Sequence, residues 1–181
     1  RAAAEQGDSA YQYQLAVSLH KGPLTYQDGK QDMPEILKWY RLAAEQGEID
    51  ALRALSYLYE QGGGVKKDEA EALNWLRLAA MWGDESSQGF LGDRYASGKG
   101  VAKDEVEAFA FYRLASVQPS NPAQKNVRAG ERLTELESKM SPDARERGVR
   151  RADVLKSEIA ARLKARETER DARNATKLSG R

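Results

Sequence analysis

The chain has 181 residues, 40% of them hydrophobic and 31% charged, which suits one soluble domain or a short repeat array. Its 29 Lys and Arg against 28 Asp and Glu leave a net charge of +1, so overall charge points to no class of partner. It has no cysteine, which excludes disulfides and thiolate metal sites, and no apolar run reaches the ~18–20 residues that span a bilayer.

The chain opens in RAAAEQG, a segment that repeats Arg41–Gly47 and reads as the end of a helix. A fragment or processed form is therefore expected, with residues 1–8 as the stub of a repeat unit. The first fuller unit, 9–47, ends in DMPEILKWYRLAAEQG, and its loop segment PLTYQDGK carries a four-residue insertion. The second unit, 48–83, opens with a helix over 50–61 that places Ala51, Leu55, Leu58 and Tyr59 on one face. Gly62 closes that helix, and a tight Gly-x-Gly-Val turn leads to a second one. In the second helix Ala72, Trp75, Leu76, Ala79 and Ala80 form one apolar stripe at helical spacing. Asp68 is placed to N-cap it, and Glu71, three residues on, is placed to reach back to the cap's N–H. The third unit, 84–118, repeats the second at an offset of 36 residues: Gly62, Val65, Asp68 and Arg77 recur as Gly98, Val101, Asp104 and Arg113. The same offset relates Trp39, Trp75 and Phe111, expected to fill space between units, and Ala43, Ala79 and Ala115, expected to let helices approach closely. One helical hairpin cannot bury its own apolar face, so about three stacked units are needed for stability.

These residues resemble Sel-one-like repeats, a branch of the tetratricopeptide-like α-solenoids. The resemblance rests on Ala51, Leu55, Ser56, Tyr59, Gly62, Gly64, Val65, Asp68, Ala72, Trp75, Leu76, Ala79, Ala80 and Gly83, and on Leu91, Gly92, Tyr95, Gly98, Gly100, Val101, Asp104, Ala108, Phe111, Tyr112 and Ala115. It covers roughly residues 1–118. It implies an all-α, right-handed superhelix of helical hairpins that acts as a scaffold or adaptor for a protein or peptide partner. A cysteine-rich secreted branch of the family is linked to β-lactam binding; a chain without cysteine does not carry that activity over. The resemblance implies a soluble bacterial protein and leaves cytoplasm or periplasm open, because any export signal would lie upstream of Arg1.

Past Pro119 the repeat stops. Residues 121–140 read as a helix with Ala123, Val127, Leu133, Leu136 and Met140 as apolar positions. Ser141-Pro142-Asp143 restarts a helix, with a narrow stripe of Ala144, Val149, Ala152, Leu155, Ile159 and Leu163. Residues 119–163 are therefore expected to cap the array, and 164–181 to form a charged tail that frays or is disordered. Residues 1–118 carry 13 basic and 18 acidic side chains, while 119–181 carry 16 and 10. That basic end makes a nucleic-acid or anionic-membrane adaptor the alternative reading, weakened by interleaved acids and the lack of any aromatic after Tyr112.

No catalytic residue, metal ligand or cofactor is assigned. His20 is the only histidine, with no second ligand at usable spacing, and it reads as a surface or concave-face residue. The Asp/Glu pairs start helices, which favours capping over acid chemistry. In solenoids of this kind the first helices of successive units line the concave surface. Their positions left over from packing are Tyr13, Val17 and His20, then Arg53, Tyr57 and Glu60, then Asp93, and these form the candidate partner site.

Overall fold

A computed structural model describes residues 1–20, 32–117 and 127–179. The insertion PLTYQDGK, the segment around Pro119 and Ala123 lie outside the described residues. The described residues form helices and connecting turns, without strands. The order is α1 (Ala2–Glu5), α2 (Ser9–Leu19), α3 (Met33–Glu45), α4 (Ile49–Gln61), α5 (Glu69–Met81), α6 (Glu85–Ser97), α7 (Glu105–Val117), α8 (Val127–Lys139) and α9 (Pro142–Ser179). Consecutive helices from α1 to α8 pack on each other, and α9 folds back onto α7 and α5. The fold is an all-α solenoid of helical hairpins, α2–α3, α4–α5 and α6–α7.

The helix starts follow from their caps, with one change to the expected pattern. The Asp68 carboxylate accepts from the Glu71 N–H at 3.0 Å, as Asp32 does from Glu35 at 3.1 Å and Asp104 from Glu107 at 3.0 Å. The reciprocal half of the capping box is not made. The Asp68 N–H donates to the Tyr59 carbonyl at 2.9 Å, which tethers the turn to the preceding helix. Glu71, left free of the cap, accepts from the Trp75 indole N–H at 3.0 Å, and Glu35 accepts from Trp39. The acid one turn ahead therefore satisfies the polar end of a large packing residue. At Gly62 and Gly64 the backbone turns with φ of +77° and +75°, the left-handed region that glycine enters without strain.

Two clusters make up the core. The first joins Ala16, Ile36, Trp39, Tyr40, Ala43, Leu52, Leu55 and Leu58 with Ala79. The second joins Leu73, Leu76, Ala80, Leu91, Phe111 and Leu114 with Ala152, Leu155 and Ile159 of α9. Ala43, Ala79 and Ala115 are all buried, and so are Trp39 and Phe111, while Trp75 is half-buried. Polar side chains stitch one unit to the next. Arg41 donates to the Tyr59 hydroxyl at 2.5 Å and Arg77 to that of Tyr95 at 3.2 Å. Gln12 and Gln88 are buried, each donating to a carbonyl near the end of the preceding helix, Ala4 and Ala80, at 3.1 Å.

The C-terminal segment differs from its sequence reading in places. The end of the chain reads as a solvated helix that frays, and among the described residues α9 runs through Ser179 with most of 164–172 exposed. No glycine or proline interrupts 149–179, and the run is rich in Ala, Arg, Glu and Lys, strong helix formers. On α8, Val127 is exposed instead of packed. On α9, Ala152, Leu155 and Ile159 are buried as expected, while Leu163 is 38% exposed. The helix is anchored along its length. The Gly148 backbone lies flat on Phe109, where an added Cβ would meet the ring at 2.5 Å. Arg151 donates to Glu107 at 2.6 Å. Arg162 and Arg166 both stack on the Trp82 ring at 5.3 Å from its centre, and Arg166 donates to the Gly47 carbonyl at 3.0 Å. A cation on carbonyls just past a helix C-terminus is favourable, since partial negative charge collects there.

Candidate functional site

The helices α2, α4 and α6 line one side of the solenoid and enclose a trough of about 680 Å³. Of the seven sequence candidates, Tyr13, Arg53, Tyr57, Glu60 and Asp93 come together in its wall. Tyr13 comes from α2, Arg53, Tyr57 and Glu60 from α4, and Asp93 from α6. Tyr57 is 40% exposed. Burial, reinforced by Asp50 and Glu48, pushes the Tyr13 hydroxyl pKa up, so Tyr13 remains a neutral hydrogen-bonding group.

Val17 and His20 do not join the trough. Val17 is exposed outside it. His20 was expected on a surface or the concave face, and it is instead buried at 5% exposure. The reason is a shift of helix end. Helix α2 closes at Leu19 with His20 as its C-cap, whereas the matching residue Glu60 still lies within α4. The imidazole therefore leaves the helix face and packs edge-on against Tyr40, with ring centres 6.3 Å apart.

Neither nitrogen of His20 has a hydrogen-bond partner among the described residues, and burial lowers its pKa from 6.5. A depressed histidine pKa means the unfolded chain takes up the proton first as pH falls through 6.5. Stability from this group is thus complete above that value and declines below it, until the folded-state pKa is passed. The denaturant midpoint of the wild type is expected to fall more between pH 8 and pH 5 than that of His20→Phe. Parallel pH profiles for the two would rule out the buried neutral imidazole.

Several trough residues were not singled out from the sequence. Phe90 of α6 is 52% exposed and stands where the second unit has Ala54. Arg94 stands where that unit has Leu58, and it bridges Glu60 at 2.5 Å and Glu69 at 3.2 Å. Asp50, Ser97 and Lys99 complete the polar rim. The signal for Phe90 and Arg94 is a departure from the preceding units, which carry Ala54 and Gln14 at the first position and Leu58 and Ser18 at the second.

Asp93 has a structural engagement as well. It accepts from the Tyr112 hydroxyl at 2.8 Å and faces Arg128 at 3.4 Å and Arg132 at 4.0 Å. Burial and Asp93 together raise the Tyr112 pKa. These groups, with Phe90 and Ser86, line a side pocket of about 170 Å³ where α8 meets α6. Phe90 and Asp93 belong to both cavities. Among the described residues no three His, Asp or Glu side chains are grouped to hold a metal, and no helix is long and apolar enough to cross a membrane.

Comparison with known proteins gives the family. The Sel1 repeat model matches residues 9–48, 49–84 and 86–116. One similar solved structure is c5321, described as a protective antigen present in uropathogenic Escherichia coli strains displaying an SLR fold. It is 30% identical at a TM-score of 0.68, over 92% of this chain and 33% of that one. The present chain thus spans about a third of the antigen's length. Another is a Sel1 repeat protein from Oxalobacter formigenes, 36% identical at a TM-score of 0.59, over 73% of this chain and 92% of that one. No curated protein matches. The chain belongs to the Sel1 repeat family, whose members are generally protein-interaction scaffolds.

Proposed function

We propose that this chain holds a protein or peptide partner on the concave face built by α2, α4 and α6. The observation that carries this reading is the trough of about 680 Å³ with Tyr57 and Phe90 exposed in its wall. Tyr, Phe and Arg are over-represented in interfaces, and Arg53 sits one helical turn before Tyr57. No catalytic residue, metal or cofactor enters this reading.

The nucleic-acid alternative draws less support. Arg162 and Arg166 of α9 are turned onto Trp82 and away from any ligand, and Glu158, Glu167, Glu169 and Asp171 interleave with the remaining cations.

The test replaces residue 57, or Lys156 on α9 as control, with a photo-crosslinking amino acid and captures partners in the native cell. Crosslinks are expected from position 57 and not from 156. The triple variant Arg53→Ala, Tyr57→Ala, Phe90→Ala is expected to lose the captured partner while melting like the wild type. Asp93 is left intact because it holds Tyr112 in place. Undiminished capture by the triple variant would move the site elsewhere.

A further inference from the structure

The charges in the trough are balanced and already engaged. Its wall holds three acids, Asp50, Glu60 and Asp93, and three bases, Arg53, Arg94 and Lys99. Glu60 lies between Arg94 at 2.5 Å and Lys99 at 3.5 Å, and Arg94 also reaches Glu69. Asp50 and Arg53 approach to 3.9 Å. Asp93 is engaged by Tyr112, Arg128 and Arg132.

The pairs at Arg94 matter most, because its side chain is only 11% exposed. A charged ligand group entering there would compete with Glu60 or Glu69 and strand a partly buried charge, which costs more than an exposed pair returns. The apolar surface, by contrast, is open. Tyr57 projects from α4 and Phe90 from α6, 40% and 52% exposed, while Ala54 and Leu76 are buried beneath the trough.

We propose that the trough takes an uncharged peptide segment, seating one aromatic or large aliphatic side chain against Tyr57 and Phe90, and that it selects against acidic and basic segments. This rests on the concave-face reading above and names the partner's chemistry. Selectivity then comes from the repulsive element: the engaged charges reject a charged competitor while the ring surfaces accept an apolar anchor.

The experiment pans a phage-displayed library of short random linear peptides against the full chain, counter-selected on a Tyr57→Ala, Phe90→Ala double variant. Enriched peptides are then measured by fluorescence anisotropy, beside versions carrying added Glu or added Lys. Neutral sequences with a Trp, Phe, Leu or Ile anchor are expected. Each charged version, and the double variant, is expected to bind at least about tenfold more weakly. Affinity for the neutral peptide should change less than about twofold between ~50 and ~500 mM salt, since screening acts on charges alone. Tyr57 is 40% and Phe90 52% exposed, and neither belongs to a core cluster, so the double variant should stay folded; its melt is recorded beside the binding. Enrichment of acidic or basic peptides whose binding falls with salt overturns the inference and leaves the concave-face reading standing. Failure to enrich any sequence that distinguishes wild type from double variant also overturns it, and crosslinking at position 57 then decides the concave-face reading separately.

Discussion

Deleting residues 142–181 is expected to lower the melting temperature by about 10 °C or more and to expose apolar surface that binds a hydrophobic dye. Helix α9 buries Leu155 and Ile159 in the second core cluster, beside Leu73, Leu76, Phe111 and Leu114. Each large aliphatic side chain buried contributes ~1.5–3 kcal/mol, so these two alone account for about 3–6 kcal/mol. Deletion also uncovers Phe109, which is 1% exposed and lies under Gly148. For a chain of this size each kcal/mol shifts the melt by roughly 2–4 °C. A terminal repeat needs a polar outer face, and α9 supplies it: apolar on the array side, charged on the other. Leu155→Asp tests the same contact with the chain length kept, because it puts an unpaired carboxylate into that cluster. A truncated chain and a Leu155→Asp chain that both melt within a few degrees of the wild type would show that α9 is an appendage.

How far the sequence revealed this structure depends on the range of each contact. The hairpins were legible because their determinants are local and repeated: Asp68 caps a helix three residues away, Gly62 ends one, and Leu55 and Ala79 recur in phase. The course of α9 was not legible. Its anchors join residues far apart, as Arg166 and the Gly47 carbonyl do across 119 positions, and no periodicity encodes that distance. A trace existed all the same. The residue before the unit-ending glycine is Gln at 6 and 46 but Trp at 82, and Trp82 is where Arg162 and Arg166 stack. Gly47 leaves the room for it, since a Cβ there would stand 2.7 Å from the Trp82 ring. The trough followed the same logic. Tyr13, Arg53 and Tyr57 could be placed by periodicity, whereas Phe90 and Arg94 were visible only as breaks in the repeat. His20 was misplaced because helix phase says nothing about where a helix stops. In a repeat protein, agreement between units encodes the fold, and disagreement between them marks what each unit does separately.

Leu55→Ala is expected to destabilise the chain by about 2–5 kcal/mol, the range for truncating a buried leucine. Leu55 has no exposed surface and sits in the first core cluster with Ala51, Leu52, Leu58 and Ala79. Its surroundings have little capacity to collapse into the space. Ala43, Ala51 and Ala79 are small, fully buried residues on helices already in close approach, so a cavity persists and the cost moves toward the upper end of that range. The central unit also has neighbours on both sides, so a loss there weakens two stacking interfaces and not one. Leu55→Met, which keeps the volume, is expected to cost less than about 1.5 kcal/mol. Tyr57→Ala, two residues further along the same helix but facing the trough at 40% exposure, should cost clearly less than Leu55→Ala. Denaturant unfolding of the three variants reads the helix register directly, because a shift of two positions would bring residue 57 to the buried place of residue 55. Equal midpoints for Leu55→Ala and Tyr57→Ala would mean that α4 does not present these two residues to opposite surroundings.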